Sequence, residues 1–242
     1  MSGNAPLIEV AGLGKSFTLH LRGGLVLPVV AGVDFVVHPG ECVALGGPSG
    51  IGKSSILKAV FGNYAVDAGH ILIRDGETRI DLANAGPRMI ISLRRRVIGY
   101  VSQFLRVIPR VSARDVVAAA ARDSGAAEGE AFATAERLLA RLNLPERLWS
   151  LPPSTFSGGE QQRVNIARGF AGSHSILLLD EPTASLDAQN SAAVVELIQE
   201  RKRAGAAILG IFHDAPVREE LADRVIDISA FAAAPKRAEA AA

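Results

Sequence analysis

Gly47-Pro48-Ser49-Gly50-Ile51-Gly52-Lys53-Ser54 lies between a short apolar run, Glu41 to Leu45, and a helix-compatible segment, Ser54 to Phe61. Strand, glycine loop and helix in this order, with the spacing G-x-x-x-x-G-K-[ST], form a phosphate-binding P-loop. Glycines let backbone N–H groups converge on phosphate oxygens, and the helix that follows adds its positive N-terminal dipole. The spacing assigns phosphate contacts to Gly47, Pro48, Ser49, Gly50, Ile51, Gly52, Lys53, Ser54 and the adjoining Ser55. Lys53 would bridge the β- and γ-phosphates of a nucleoside triphosphate, and the Ser54 hydroxyl would ligate Mg²⁺.

Outward from the loop, two further apolar runs end in polar residues. Ile176 to Leu179 stops at Asp180 and Glu181, and Ala207 to Phe212 stops at His213 and Asp214. Both read as buried parallel strands that deliver polar groups at their carboxyl ends. Asp180 has the position of a Walker B carboxylate that holds Mg²⁺, and Glu181 is placed to polarise an attacking water. Leu7 to Ala11 and Val29 to Val37 read as strands joined by a turn around Gly23 and Gly24, forming an antiparallel flank. From Ala83 to Arg168 the pattern turns helical, with Phe132, Ala135, Leu139 and Leu142 recurring along one helix face. Ser112 with Asp115, and Ser157 with Glu160, have the form of helix starts, and Asp187 can cap a final long helix through Arg203, stopped at Gly205. The expected fold is α/β, with a mostly parallel core sheet, an antiparallel β flank and a helical subdomain at roughly 104–168 inserted into a single domain of residues 1–230. The Ala-rich stretch 231–242, with Pro235, Lys236 and Arg237, reads as a flexible tail.

Composition narrows the function. Of 242 residues, 48% are hydrophobic and 21% charged, which supports a packed core and excludes a disordered chain. Lys and Arg (26) against Asp and Glu (25) leave +1, so no basic footprint points to nucleic acid. Cys42 is the single cysteine, which excludes an intrachain disulfide and, in the strand before the loop, reads as packing. The apolar run from Ala204 to Phe212 is about half the length a bilayer span needs. Met1 to Lys15 has no basic region followed by an apolar one, so a secretory leader is not expected and a cytoplasmic location is. His20, His38, His70 and His174 show no metal-ligand spacing.

Ser157-Gly158-Gly159-Glu160-Gln161-Gln162-Arg163 supplies a second anion site, because two glycines and a serine cap expose N–H and O–H donors at a helix start. The order P-loop, Ser-Gly-Gly, acidic strand end and lone histidine resembles the ATP-binding-cassette ATPase family, a P-loop NTPase type. In that family the signature of one subunit closes over the ATP held by the P-loop of another. The resemblance implies ATP and Mg²⁺ as ligands, and a dimer with a second copy or a related cassette. It implies that Gln103, after Tyr100-Val101-Ser102, senses the metal and the attacking water, so the metal set is Ser54, Gln103 and Asp180. It implies that His213 contacts the γ-phosphate and works with Glu181 and Gln103 in catalysis. Asp187, in Ser185-Leu186-Asp187, matches the loop that crosses the dimer interface, and Phe17 sits where the family stacks an aromatic on adenine. Ser157, Gly158, Gly159 and Glu160 would meet the partner's nucleotide. Glu160 departs from the pattern, which often has Gln there. Its charge either completes a capping box with Ser157 or faces the nucleotide and raises the cost of closure.

A narrower resemblance runs over most of the chain, most tellingly at 102–110, 144–149, 156–169 and 210–214, and is to the PhnL-type cassettes of the bacterial phosphonate carbon–phosphorus lyase system. That resemblance implies a subunit acting with soluble lyase subunits and a second cassette, PhnK, in a step linked to ribose 1-methylphosphonate 5-triphosphate synthesis. Three functional classes follow: the ATPase of such a soluble complex, the motor of a membrane transporter, and a silent ATP-binding scaffold. Glu181 and His213 argue against the third. With one P-loop and one signature, the chain carries two unlike halves of a composite site, and whatever the ATP cycle drives is expected on another polypeptide.

Overall fold

A computed structural model describes residues 5–19, 24–105 and 108–233; His20, Gly23, the 106–107 pair and the 234–242 part of the expected tail lie outside them. In chain order the first elements are β1 (Ile8–Leu19), β2 (Leu25–Val37), β3 (Cys42–Gly46), α1 (Lys53–Val60), β4 (Ala68–Asp75) and β5 (Thr78–Asp81). They are followed by α2 (Pro87–Arg96), β6 (Ile98–Val101), α3 (Ala113–Asp123), α4 (Glu128–Arg141) and α5 (Gly158–Phe170). The chain then runs through β7 (Ile176–Asp180), α6 (Ala188–Arg203), β8 (Ala207–Ile211), α7 (Ala215–Leu221) and β9 (Arg224–Asp227).

Two sheets result. One is antiparallel in the order β2-β1-β4-β5, and the other is parallel in the order β6-β7-β8-β3-β9. Every residue of β7 and β8 is buried, which explains why both read as continuous apolar runs rather than alternating ones. The period-two geometry of a strand sends alternate residues into different cores. Leu177 and Leu179 join a core with α3, α4, α5 and α6, whereas Ile176 and Leu178 join one with α1 and the antiparallel sheet. Cys42 and Ala44 face the first core, and Val43 and Leu45 the second. Burial pushes the Cys42 thiol up to about 12, so it packs as a small apolar group.

Three helix starts are as the sequence specifies. Ser112 Oγ accepts from Asp115 N–H at 3.1 Å, Asp187 Oδ1 accepts from Asn190 N–H at 2.8 Å, and Ser157 with Glu160 closes a capping box. The Ser112 and Ser157 caps each contribute about 1 kcal/mol. Arg201, Lys202 and Arg203 place positive charge at the negative end of α6.

Several expectations are corrected. The first two strands are longer than 7–11 and 29–37, because β1 bends through register shifts and continues to pair with β2 as far as Leu19 and Leu25. The segment 83–168 is not uniformly helical: β6 interrupts it and pairs in parallel with β7, its four residues being too few to set a period. The long helix capped by Asp187 runs to Arg203 as expected, and a short helix, α7, and the strand β9 follow it. β4 and β5 extend the antiparallel flank beyond the two strands expected.

Gly69 has φ +79°, and a Cβ there would fall 2.4 Å from the Ala11 carbonyl oxygen and the Gly12 backbone. Gly76 has φ +61° and open space around it. Gly76→Ala should therefore cost about 1–2 kcal/mol, the price of left-handed backbone alone, and Gly69→Ala clearly more, because backbone must move. Equal losses in urea unfolding would contradict this packing of β4 on β1.

Candidate functional site

The loop between β3 and α1 is braced from above by β2. Gly52, which caps α1, has φ +112°, and a Cβ there would lie 2.6 Å from Val29 Cγ1 and 3.1 Å from Val30 Cγ1. Only glycine meets both demands. The Lys53 ammonium folds back over the loop and donates to the carbonyls of Gly47 at 2.8 Å and Pro48 at 2.9 Å. It is held by weak, replaceable acceptors at the spot where the loop's N–H groups gather.

Parallel pairing brings the other side chains to the same edge. Ser54 Oγ, one residue into the helix, donates to Asp180 Oδ1 at 3.1 Å, and the Tyr100 hydroxyl donates to Asp180 Oδ2 at 3.2 Å. Both carboxylate oxygens of the buried Asp180 are thus engaged. Burial first, and the Asp180 charge second, raise the Tyr100 phenol above its ordinary range, so it stays a proton donor. Glu181 leaves the strand with φ +53°, while its N–H still donates to the Ile211 carbonyl at 3.0 Å. This turn, uncommon for a non-glycine residue, swings the carboxylate away from Asp180's direction. Gln103 Nε2 donates to Glu181 Oε2 at 3.2 Å, and His213 Nε2 lies 3.5 Å from Glu181 Oε1. The Glu181 side chain is mostly covered and His213 mostly open to solvent.

Two groups therefore form, Ser54 with Asp180 and Gln103 with Glu181 and His213, adjoining through the consecutive Asp180 and Glu181, and no hydrogen bond joins Gln103 to Ser54 or Asp180. Three more residues join them to which the sequence assigns no role, although Gln162 lies inside the Ser157–Arg163 signature and Tyr100 just before Gln103. Tyr100 stands on β6 opposite Leu178, a pairing that only the fold reveals. Gln162 Nε2 donates to the Pro182 carbonyl at 3.2 Å, and the buried Asn165 donates to the Ser102 carbonyl, so α5 ties both flanks of the site together.

Other expected residues stand apart. Ser157 and Glu160 bond to each other, and among the described residues none of their hydrogen bonds reaches 47–55. Gly159 lies against the Ser185 carbonyl, so the signature abuts the loop before Asp187. Phe17 packs edge-on to Tyr64, ring centres 5.1 Å apart, with the Lys15 ammonium 5.1 Å from its centre. His70 pairs with Asp81 at 2.7 Å, and His174 is buried.

Among the described residues no three His, Cys, Asp or Glu side chains cluster to hold a metal by themselves. A hydroxyl and one carboxylate, Ser54 and Asp180, suit Mg²⁺, which binds through one or two protein oxygens plus substrate phosphates and waters. On the far side of Gln103, a groove of about 880 Å³ runs between α2, β6 and α3, lined by Arg94, Arg95, Phe104, Ile108, Val116 and Arg168 among others. Phe104 and Ile108 stand well exposed on its rim.

The sequence pattern described as ABC transporter matches residues 30–184. The lipoprotein-releasing system ATP-binding protein LolD of Maricaulis maris is 42% identical over 207 residues, 85% of this chain and 86% of that protein. The macrolide export ATP-binding/permease protein MacB of Wolinella succinogenes is 39% identical over 92% of this chain, and that of Marinobacter nauticus 38% over 88%. The chain spans about a third of the length of these two MacB relatives, 33% and 32%. Among solved structures, the dimeric ATP-binding cassette MJ0796, in a post-hydrolysis state bound to ADP and Pi, superposes with a TM-score of 0.82 at 26% identity. That likeness covers 91% of this chain and 93% of the other.

Gly52→Ala should weaken ATP binding by about tenfold or more in titration calorimetry, a loss of at least ~1.4 kcal/mol. Adding Val29→Ala should recover part of it, because the clash is shared. Full affinity in the single variant would show that β2 does not brace the loop.

Proposed function

The chain belongs to the ABC transporter family, and from that premise we propose that it is the ATP-hydrolysing cassette that drives a membrane transporter, working as one half of a cassette dimer. Chains of this family bind ATP and Mg²⁺, and the donor set at Ser54 and Asp180 fits the ion. The observation that carries the hydrolytic reading is the meeting of Gln103, Glu181 and His213 beside the Ser54–Asp180 pair at the mouth of the P-loop. Residues 1–230 act in this reading as one cassette, with 104–168 as its helical lobe.

Ser54 and Asp180, with Gln103 as the resemblance implies, would hold Mg²⁺, which when bound would supply positive charge to the phosphate oxygens. Lys53 exchanges its two neutral carbonyl acceptors for anionic phosphate oxygens, a gain because the new bonds pair opposite charges. The loop N–H groups and the dipole of α1 hold the rest of the phosphate chain. Glu181 orients the attacking water and takes its proton, and Gln103 and His213 fix the carboxylate from either side. Phe17 offers its ring to the adenine. Ser157, Gly158 and Gly159 of a second cassette bring further donors to the γ-phosphate, so the transition-state charge is met fully only in the dimer.

The transporter reading draws on the lipoprotein-releasing and macrolide-export relatives, and on the groove beside Gln103, whose exposed Phe104 and Ile108 offer an apolar seat next to the catalytic segment. No described helix is long and apolar enough to cross a membrane, so in this reading a membrane-spanning part seats there. The carbon–phosphorus lyase reading has less behind it. None of the relatives named above carries a name from that system.

Glu181→Gln should lower steady-state phosphate release by about 10²-fold or more while ATP still binds, and Lys53→Ala should lose binding itself. Parental turnover in Glu181→Gln would refute the assignment. Membrane-spanning proteins should co-purify with the Glu181→Gln chain in ATP, and soluble lyase subunits in their place would overturn the transporter reading.

A further inference from the structure

The capping box at the start of α5 commits the only hydroxyl proton of Ser157 inside its own chain. Glu160 Oε2 accepts from Ser157 N–H and from Ser157 Oγ, both at 2.8 Å, while Ser157 Oγ accepts the Glu160 N–H at 3.4 Å. A serine hydroxyl has one proton to give. With that proton given to Glu160, Oγ can turn only lone pairs toward an approaching phosphate oxygen. The other carboxylate oxygen, Oε1, accepts no hydrogen bond from a described residue. Bonds from the Ser157 N–H first, and its hydroxyl second, hold the Glu160 carboxyl below the usual carboxylate range, with Arg163 and Arg147 adding attraction, so it is ionised at neutral pH.

We infer that Glu160 is a positioning residue that keeps the Ser157 hydroxyl turned inward until a second cassette closes, so that closure must exchange the Ser157–Glu160 bond for one to the γ-phosphate. The inference rests on the dimeric ATPase reading above and adds a restraint on it. Two effects oppose closure. The hydroxyl must be released from a charged acceptor, and a negative carboxylate is carried toward a negative phosphate. The helix benefits from the same contact, because an acid in the first turn complements the dipole. Cap and restraint are one bond seen from two sides.

A glutamine separates them. Its amide oxygen can occupy the Oε2 position and accept both bonds, keeping the cap, while the charge disappears and an N–H₂ donor takes the Oε1 position. In the Glu181→Gln background, ATP-driven dimerisation measured by sedimentation should therefore tighten about three- to tenfold on adding Glu160→Gln, with the gain shrinking as salt rises. The thermal midpoint should stay within about 2 °C of the parent, as an intact cap requires. Adding Ser157→Ala should remove much of the gain, since no hydroxyl remains to release. Unchanged or weaker dimerisation in Glu160→Gln would overturn the inference. So would a gain that persists in full without the Ser157 hydroxyl, which would leave a charge effect and no exchange. A Glu181→Gln parent that does not associate in ATP would refute the dimer reading before Glu160 is touched, so the two failures are told apart.

Discussion

Parallel hydrogen bonding of β8 with β3 on one side and β7 on the other sets the register on which every contact in the site depends. Ala44 sits opposite Gly210, and Asp180 opposite Ile211, so the P-loop, the acidic pair and His213 leave the sheet at one edge. A slip of one residue would turn every side chain of a strand to the opposite face. Such a slip is costly because β7 and β8 are buried on both faces and divide their side chains between two cores. Leu177 and Leu179 fit among helices, and Ile176 and Leu178 fit under the antiparallel sheet. Burying one such side chain contributes about 1.5–3 kcal/mol, so the cores hold the register and the register holds the site.

Within that frame, charge is arranged so that ATP replaces weak partners with stronger ones. Lys53 rests on two carbonyls, Asp180 on a serine and a phenol, and Glu181 between an amide and an imidazole. α5 links these groups to the surface of the molecule. Its N-terminus carries the signature, its middle ties Ser102 and Pro182 in place through Asn165 and Gln162, and its end reaches the groove through Arg168. One helix therefore touches the signature segment, both flanks of Glu181 and the groove, and in the proposed transporter reading it is the element through which these three places would be mechanically linked.

Much of this was legible in the sequence, for identifiable reasons. Gly47 to Ser54 announces itself because the loop's backbone demands fix both the glycines and the spacing. Ile176 to Asp180 and Ala207 to Ile211 were visible as strands because burial on both faces leaves no polar residue inside them. The caps at Ser112, Ser157 and Asp187 were visible because capping is local. What escaped is what depends on distant partners. Thr78 to Asp81 is short and largely exposed, and becomes a strand only through pairing with β4. Ile98 to Val101 is four residues long within a helical stretch, and its partner is β7, far along the chain. Tyr100, Gln162 and Asn165 lie in or beside the motif segments without a motif role; their contacts arise from where β6 and α5 are docked. The narrower phosphonate resemblance rests on stretches that largely coincide with the family's shared motifs, such as 156–169 and 210–214, which do not separate one cassette from another; the relatives named above are export and release proteins.

In the proposed reading, a second cassette completes the site. Among the described residues, Ser157 and Glu160 make no hydrogen bond to the P-loop of their own chain, and a solved cassette that superposes on it is dimeric. The most direct test is the specific ATPase activity of the purified chain as a function of its own concentration at saturating ATP and Mg²⁺. If two chains build each site, activity per chain rises with concentration and levels off once dimers prevail. Activity per chain that stays constant down to concentrations at which sedimentation finds only monomers would contradict the account.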